Sequence, residues 1–151
     1  MTKDESTESI DFLFAQVCHL HYTRAHQLLE TIGLYRGQPP VLRSLWRQEG
    51  QTQSDLAAQL NIAPATLTRM LQRMEKNGFI TRKSDKNDMR LSRVFLTESG
   101  LQIQEKVKEI WDTMEDETFQ GFCSEDLDSL RKGLNQMRSN LARSTNIKEK
   151  K

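Results

Sequence analysis

Thr66, Thr68, Arg69 and Gln72 lie within one seven-residue stretch and carry two hydroxyls, a guanidinium and a side-chain amide. Such groups read base edges in a DNA groove, the guanidinium and the amide each offering two hydrogen bonds at once. Arg73 and Lys76 follow closely and suit phosphate oxygens. At 100° per residue, Leu67, Leu71 and Met74 fall on one narrow stripe with Met70 at its edge. Ala65, Arg69, Gln72 and Lys76 fall opposite, flanked by Thr66, Thr68 and Arg73. The spacing predicts a helix that buries one side and offers the other to a polyanion, with an ordinary amphipathic surface helix as the competing reading.

A second cluster sits at 82–90, RKSDKNDMR, between the strand-like runs Phe79-Ile80-Thr81 and Arg93-Val94-Phe95-Leu96. This predicts a hairpin with a charged tip, whose Lys83, Lys86 and Arg90 can reach a DNA backbone or a narrow minor groove. Asp88, two residues before Arg90, is expected on the same side of an extended strand, holding the guanidinium by a charge-assisted hydrogen bond. A solvated loop is the alternative.

Cys18 and His21 form a third group at i, i+3, with His19 and His26 nearby. The sharp reading is a redox or metal sensor. Against it, no lysine or arginine stands close enough to favour a thiolate, and the C-terminal half holds no histidine to complete a zinc site. The bland reading makes these residues structural, with Cys123 packing as a small hydrophobe. Two cysteines in 151 residues do not suggest a disulfide framework.

The elements that must position these groups are marked by their caps. Thr52 is a good N-cap, and Asp55 three residues later approaches a capping box; Leu56, Ala57 and Leu60 give the short helix its apolar face. Asn61 and Ile62 make a break. Pro64 suits the first position of the next helix, which Gly78 stops after about Asn77. Two helices with a brief connection are the helix-turn-helix signature, and Thr52, Gln53 and Ser54 at its start join the candidate DNA-contacting residues.

Upstream, a helix is expected from about Ser9 to Ile32, with Ile10, Leu13, Phe14, Val17, Leu20, Leu28, Leu29 and Ile32 recurring at three- and four-residue intervals, and Gly33 ends it. Pro39 and Pro40 open another from Val41 to about Gln48, with Leu42, Leu45 and Trp46 inward. Downstream, Thr97 or Ser99 starts a helix of roughly 25 residues, about 37 Å long, with a stripe of Leu101, Val107, Ile110, Trp111 and Met114. After a break at Gly121, with Ser124 as cap, Leu127, Leu130, Leu134, Met137 and Leu141 repeat at 3,4,3,4 spacing. That is a helix-pairing seam, expected to join the first helix in covering a second copy. The alternative is a seam packed on the chain's own core. The tail STNIKEKK has no apolar pattern and is expected to fray.

Net charge is +1, but its distribution is uneven: −3 over residues 1–33, +6 over 34–96 and −2 over 97–151. The positive surplus coincides with the helix-turn-helix and hairpin, an electrostatic footprint for nucleic acid. Mean hydropathy is −0.70, and no apolar run approaches membrane-spanning length. The start, MTKDESTES, is acidic and polar, unlike a signal or transit peptide, so a cytoplasmic location is expected. No glycine-rich phosphate loop, G-x-S-x-G, H-E-x-x-H or paired-cysteine motif occurs, and neither an enzyme nor a cofactor is expected.

The runs LYRGQPPVLRSLW, TQSDLAAQLNIAPATLTRMLQRMEKNGFITR and DKNDMRLSRVFLTESG together resemble the MarR family of bacterial transcriptional regulators over nearly the whole chain. The resemblance implies a mainly α fold with a small antiparallel β wing, about six helices and a triangular homodimer. It implies one domain over 1–151, with dimerisation helices at 1–33 and 98–145 and a winged helix-turn-helix lobe at 34–97 (helix-turn-helix 52–77, wing 79–97). It further implies a regulator, commonly a repressor, bound to a pseudo-palindromic operator in double-stranded DNA, with Thr66, Thr68, Arg69 and Gln72 facing bases and Arg90 entering the minor groove. Many members release DNA when a small phenolic compound, a metal or an oxidant engages the dimer. A pocket for an aromatic effector would lie among His21, Tyr22, Gln38, Leu42, Trp46 and Trp111, although apolar residues at a helix junction are more often core. A winged-helix protein–protein module is the other reading of the same fold.

Overall fold

Ser9 opens the first helix by accepting a hydrogen bond from Phe12 N–H, and the computed structural model, which describes residues 8–145, then runs α1 from Ile10 to Glu30. Thr31 closes α1, and Gly33 turns the chain with φ +77°. α2 (Gln38–Arg47) begins earlier than the proline pair suggests, since Gln38 itself is its first residue. A two-residue strand, β1 (Gln51–Thr52), precedes α3 (Gln53–Leu60) and α4 (Pro64–Lys76). The hairpin is β2 (Ile80–Ser84) with β3 (Ser92–Leu96), and α5 (Glu98–Phe119) and α6 (Ser124–Thr145) complete the chain.

The sheet is antiparallel in the order β1-β3-β2, with Gln51 opposite Val94 and Arg82 opposite Val94 on its other side. β1 is an addition to the sequence-level expectation. The hairpin strands are also shifted: Phe79 precedes β2, while Arg82 and Lys83 lie within it.

The described residues form two compact units that divide between Met114 and Glu115, so α5 contributes to both. The core of the first unit is built from Leu29, Leu34, Leu42, Leu45, Leu56, Leu67, Leu71, Met74, Ile80 and Val94, with Ile103, Val107 and Ile110 from α5. Leu101 does not belong to that stripe; it is 52% exposed, and Ile103 takes the inward position because 103, 107, 110 and 114 follow helical spacing while 101 does not. Gly100 must be glycine, because a Cβ there would stand 2.0 Å from the Phe79 carbonyl oxygen.

In the second unit no residue of α6 is buried, and a groove of about 600 Å³ opens between it and the end of α5, lined by Phe119, Leu127, Leu130 and Leu134 among others. Ser124 is the first helical residue rather than a cap; Asp126 reaches back to accept the Cys123 N–H at 3.3 Å. Ser144 and Thr145, expected to fray, remain helical with their hydroxyls donating to Asn140 and Leu141 carbonyls. The rest of the tail expectation, and Met1–Thr7 of the acidic start, lie outside the described residues.

Candidate nucleic-acid interface

Thr52 shows why the helix-turn-helix begins where it does. Its hydroxyl accepts the Asp55 N–H at 3.1 Å, one half of a capping box, while its backbone is engaged in β1. The turn is made by Asn61, left-handed at φ +53°, which asparagine tolerates better than other non-glycine residues. α4 starts at Pro64 with no side-chain cap on Ala63. It ends in a full Schellman arrangement: Gly78 N–H donates to the Glu75 carbonyl and Phe79 N–H to the Met74 carbonyl, both at 3.0 Å. These ends fix the rotation of α4, so Leu67, Leu71 and Met74 are buried and Pro64, Ala65, Thr66, Arg69, Gln72, Arg73 and Lys76 are exposed.

Two candidate contact residues are placed differently from expectation. Thr68 is half-buried, its hydroxyl donating to the Pro64 carbonyl at 2.9 Å with the Gln53 amide 3.4 Å away, so it is turned back onto its own helix. Thr52 is buried, and its hydroxyl is spent on the cap. Ser54 is exposed, while Gln53 is half-buried and bridges α3 toward Thr68 and Arg82.

The wing is locked to α4 by a fork. Arg82 Nε and Nη2 donate to Glu75 Oε2 at 3.0 and 2.8 Å, and Arg82 N–H donates to Oε1 at 3.1 Å. The Arg82 guanidinium therefore holds the Glu75 carboxyl below the usual glutamate range. At the tip, Asp85 accepts the N–H groups of Asn87 and Asp88 at 2.8 and 2.9 Å and pairs with Arg93, which also donates to the Gly50 carbonyl at 2.7 Å. The Arg93 guanidinium, then the two backbone donors, take the Asp85 carboxyl down to about 2.

Asp88 does hold Arg90, through Nε to Oδ1 at 3.0 Å and Nη2 to Oδ2 at 3.2 Å. The backbone between them is a turn rather than the extended strand that spacing suggests. Arg90 itself is 90% exposed, and Lys83 and Lys86 are exposed beside it. Spacing alone did not single out Glu75, Arg82, Asp85 or Arg93. Only Asp85 carried a local signal, an aspartate opening a polar turn.

The effector-pocket residues scatter in burial. Leu42 is fully buried, Gln38 is buried with its amide oxygen accepting the Tyr35 N–H at 2.9 Å, and Trp46 donates its indole N–H to the Gly100 carbonyl at 2.8 Å. These three serve the core. His21 and Tyr22 are exposed, and the half-buried Trp111 keeps its indole N–H without a partner among the described residues. Cys123 is exposed rather than packed as a small hydrophobe, and Cys18 is exposed on α1, the helix whose apolar stripe is expected to meet a second copy. No group of three or more potential metal ligands is gathered among the described residues.

Ile10, Leu13, Val17 and Leu20 on α1 stand exposed, with Phe14 half-buried. On α6, Leu134 and Leu141 are exposed and Leu127, Leu130 and Met137 half-buried. No helix is long and apolar enough to cross a membrane among the described residues.

This arrangement recurs in known proteins. A family model described as the MarR family matches residues 34–92. The organic hydroperoxide resistance transcriptional regulator of Bacillus subtilis (strain 168) is 35% identical over 102 residues, which is 63% of this chain and 69% of that protein. A MarR transcriptional regulator from Methanosarcina mazei Go1 superposes with a TM-score of 0.72 at 27% identity, covering 89% of this chain and 96% of the other. MepR of Staphylococcus aureus, solved as a DNA complex, superposes with a TM-score of 0.74 at 28% identity over 89% of this chain and 99% of its own. A capped helix-turn-helix carrying a three-stranded wing, set among six helices in the described residues and matched by these relatives, makes this protein a member of the MarR family.

Proposed function

We propose that this chain is a sequence-specific DNA-binding transcriptional repressor that acts as a homodimer on a pseudo-palindromic operator. The observation that carries the reading is the outer face of α4, where Thr66, Arg69, Gln72, Arg73 and Lys76 are exposed together, with Arg90 of the wing exposed as well. Arg69 and Gln72 match the bidentate needs of guanine and adenine, and the flanking cations match phosphates. The likeness to MepR, solved bound to DNA, supports the same use of the fold. Exposed apolar stripes on α1 and on α6 support pairing of two copies, since each leaves hydrocarbon in water when the chain is alone.

In this reading two recognition helices enter successive major grooves about one helical turn, ~34 Å, apart. A small aromatic effector that prefers another separation of the lobes would release the operator, because binding and spacing are thermodynamically linked. Titrating a labelled duplex at several salt concentrations tests the DNA-binding claim. A linear fall of log affinity with log salt is expected, and no binding to any duplex at low ionic strength refutes the claim. That second outcome would favour a protein–protein module.

A second reading concerns release. Cys18 is exposed on α1, and the Bacillus subtilis relative is named for organic hydroperoxide resistance. On this reading a hydroperoxide oxidises the Cys18 thiol to a sulfenic acid and is itself reduced to the alcohol, and the operator is released. Peroxide should abolish binding by the wild type and spare Cys18→Ser; equal loss in both removes the thiol from the mechanism.

A further inference from the structure

The loop between α1 and α2 carries two residues that no helix-turn-helix pattern claims, Tyr35 and Arg36. The Arg36 guanidinium lies over the ring of Tyr22 on α1, 3.0 Å from its centroid, and the Arg73 guanidinium of α4 lies over the ring of Tyr35 at 4.7 Å. Gly37 brings this loop against the recognition helix: its φ is +99°, and a Cβ there would stand 3.2 Å from the Met70 methyl group. Two adjoining concavities result, sharing Tyr35 and Arg73; between them their walls hold Arg36, Arg69, Arg73 and Lys76 and no carboxylate.

We propose that this loop is part of the DNA interface, with Arg36 and Arg73 gripping a backbone phosphate that flanks the bases faced by α4. The inference rests on the DNA-binding reading above. A guanidinium laid on an aromatic face keeps its in-plane N–H fork outward, and a phosphate accepts such a fork through two oxygens. The ring also removes much of the rotamer freedom that a solvated arginine would lose on binding. Four cations around a concave surface without a compensating acid match a polyanion, and their place on the flank of α4 makes the duplex backbone the occupant.

The test compares wild type, Arg36→Ala, Tyr22→Ala and Tyr22→Phe on one selected duplex, by salt titration and by phosphate-ethylation interference. Arg36→Ala is expected to weaken binding roughly three- to tenfold per half-site and to lower the salt slope by about one for each phosphate it no longer neutralises. One interfering phosphate outside the base-contacted positions should disappear from its pattern. Tyr22→Ala should move the same way with less effect on slope, and Tyr22→Phe, which keeps the ring, should match wild type. Tyr22 and Arg36 are exposed, so unchanged thermal melting is expected to show that folding is intact. Wild-type slope and interference pattern in Arg36→Ala overturn this inference alone, whereas a wild type that binds no duplex overturns the DNA-binding reading with it.

Discussion

Arg82 of the wing grips Glu75 of the recognition helix with three hydrogen bonds, two from its guanidinium at 2.8 and 3.0 Å and one from its backbone N–H at 3.1 Å. One carboxylate thus ties wing to helix beside the shared core of Leu71, Met74, Ile80 and Val94. Arg82→Ala is expected to cost about 1 kcal/mol, a modest figure because both side chains remain partly in water. Glu75 has a depressed folded-state value, so its contribution is complete above the ordinary glutamate range and is lost as pH falls through the lowered value. Wild type should therefore lose stability more steeply than Arg82→Ala below about pH 4.5, measured by denaturant unfolding across pH.

Asp85 organises the wing tip by the same physics. Its carboxyl titrates at about 2, so its hold on the loop is complete above the normal aspartate range and fades as pH falls through about 2. Asp85→Asn keeps the shape but loses the charge that pairs with Arg93. Amide exchange at Asn87 and Asp88 is expected to accelerate in the variant at neutral pH. Unchanged protection would mean the tip is held otherwise.

Arg69 and Arg90 should fail in different ways. Arg69→Ala is expected to cost about 1–3 kcal/mol per half-site and to relax the preference at one base position. Arg90→Ala should weaken binding to most sequences alike and flatten the salt slope. Competition between matched and single-substituted duplexes separates the two. A preserved preference in Arg69→Ala would mean that this face of α4 does not read bases.

Leu134→Glu places a charge in the middle of the α6 seam. On the homodimer reading the variant should sediment as a monomer and lose operator affinity, because two half-sites are no longer met together. A variant that remains dimeric moves the pairing surface away from α6.

Gly100→Ala tests how tightly α5 enters the winged lobe. The added Cβ would meet the Phe79 carbonyl at 2.0 Å, and backbone must shift to admit it. A loss of about 3 kcal/mol is expected from overpacking, read from the unfolding midpoint.

Much of the fold was legible in the sequence because its helices announce themselves. Thr52 and Ser9 cap with their hydroxyls, Gly78 stops α4, and Leu67, Leu71 and Met74 keep helical period. β1 was not legible: two residues have no period, and Gln51–Thr52 is a strand only because β3 lies alongside. Leu101 reads as core from its apolar side chain alone, but its angle on α5 turns it away from the stripe of Ile103, Val107 and Ile110. In the candidate site, local pairs such as Asp88 with Arg90 could be read from spacing, whereas Asp85 with Arg93 and Gln53 with Thr68 and Arg82 needed the turn and the sheet to bring them together. Thr52 caps α3 as its place in the sequence suggests, whereas the backbone bond of the Thr68 hydroxyl, donated to the Pro64 carbonyl of its own helix, is not visible from which face a threonine occupies.

Selection of bound duplexes from a random pool by the purified full chain tests the central claim most directly. The expected result is a two-fold symmetric motif whose half-sites are centred about ten base pairs apart. Enrichment of a single asymmetric site, or of no sequence at all, would contradict it.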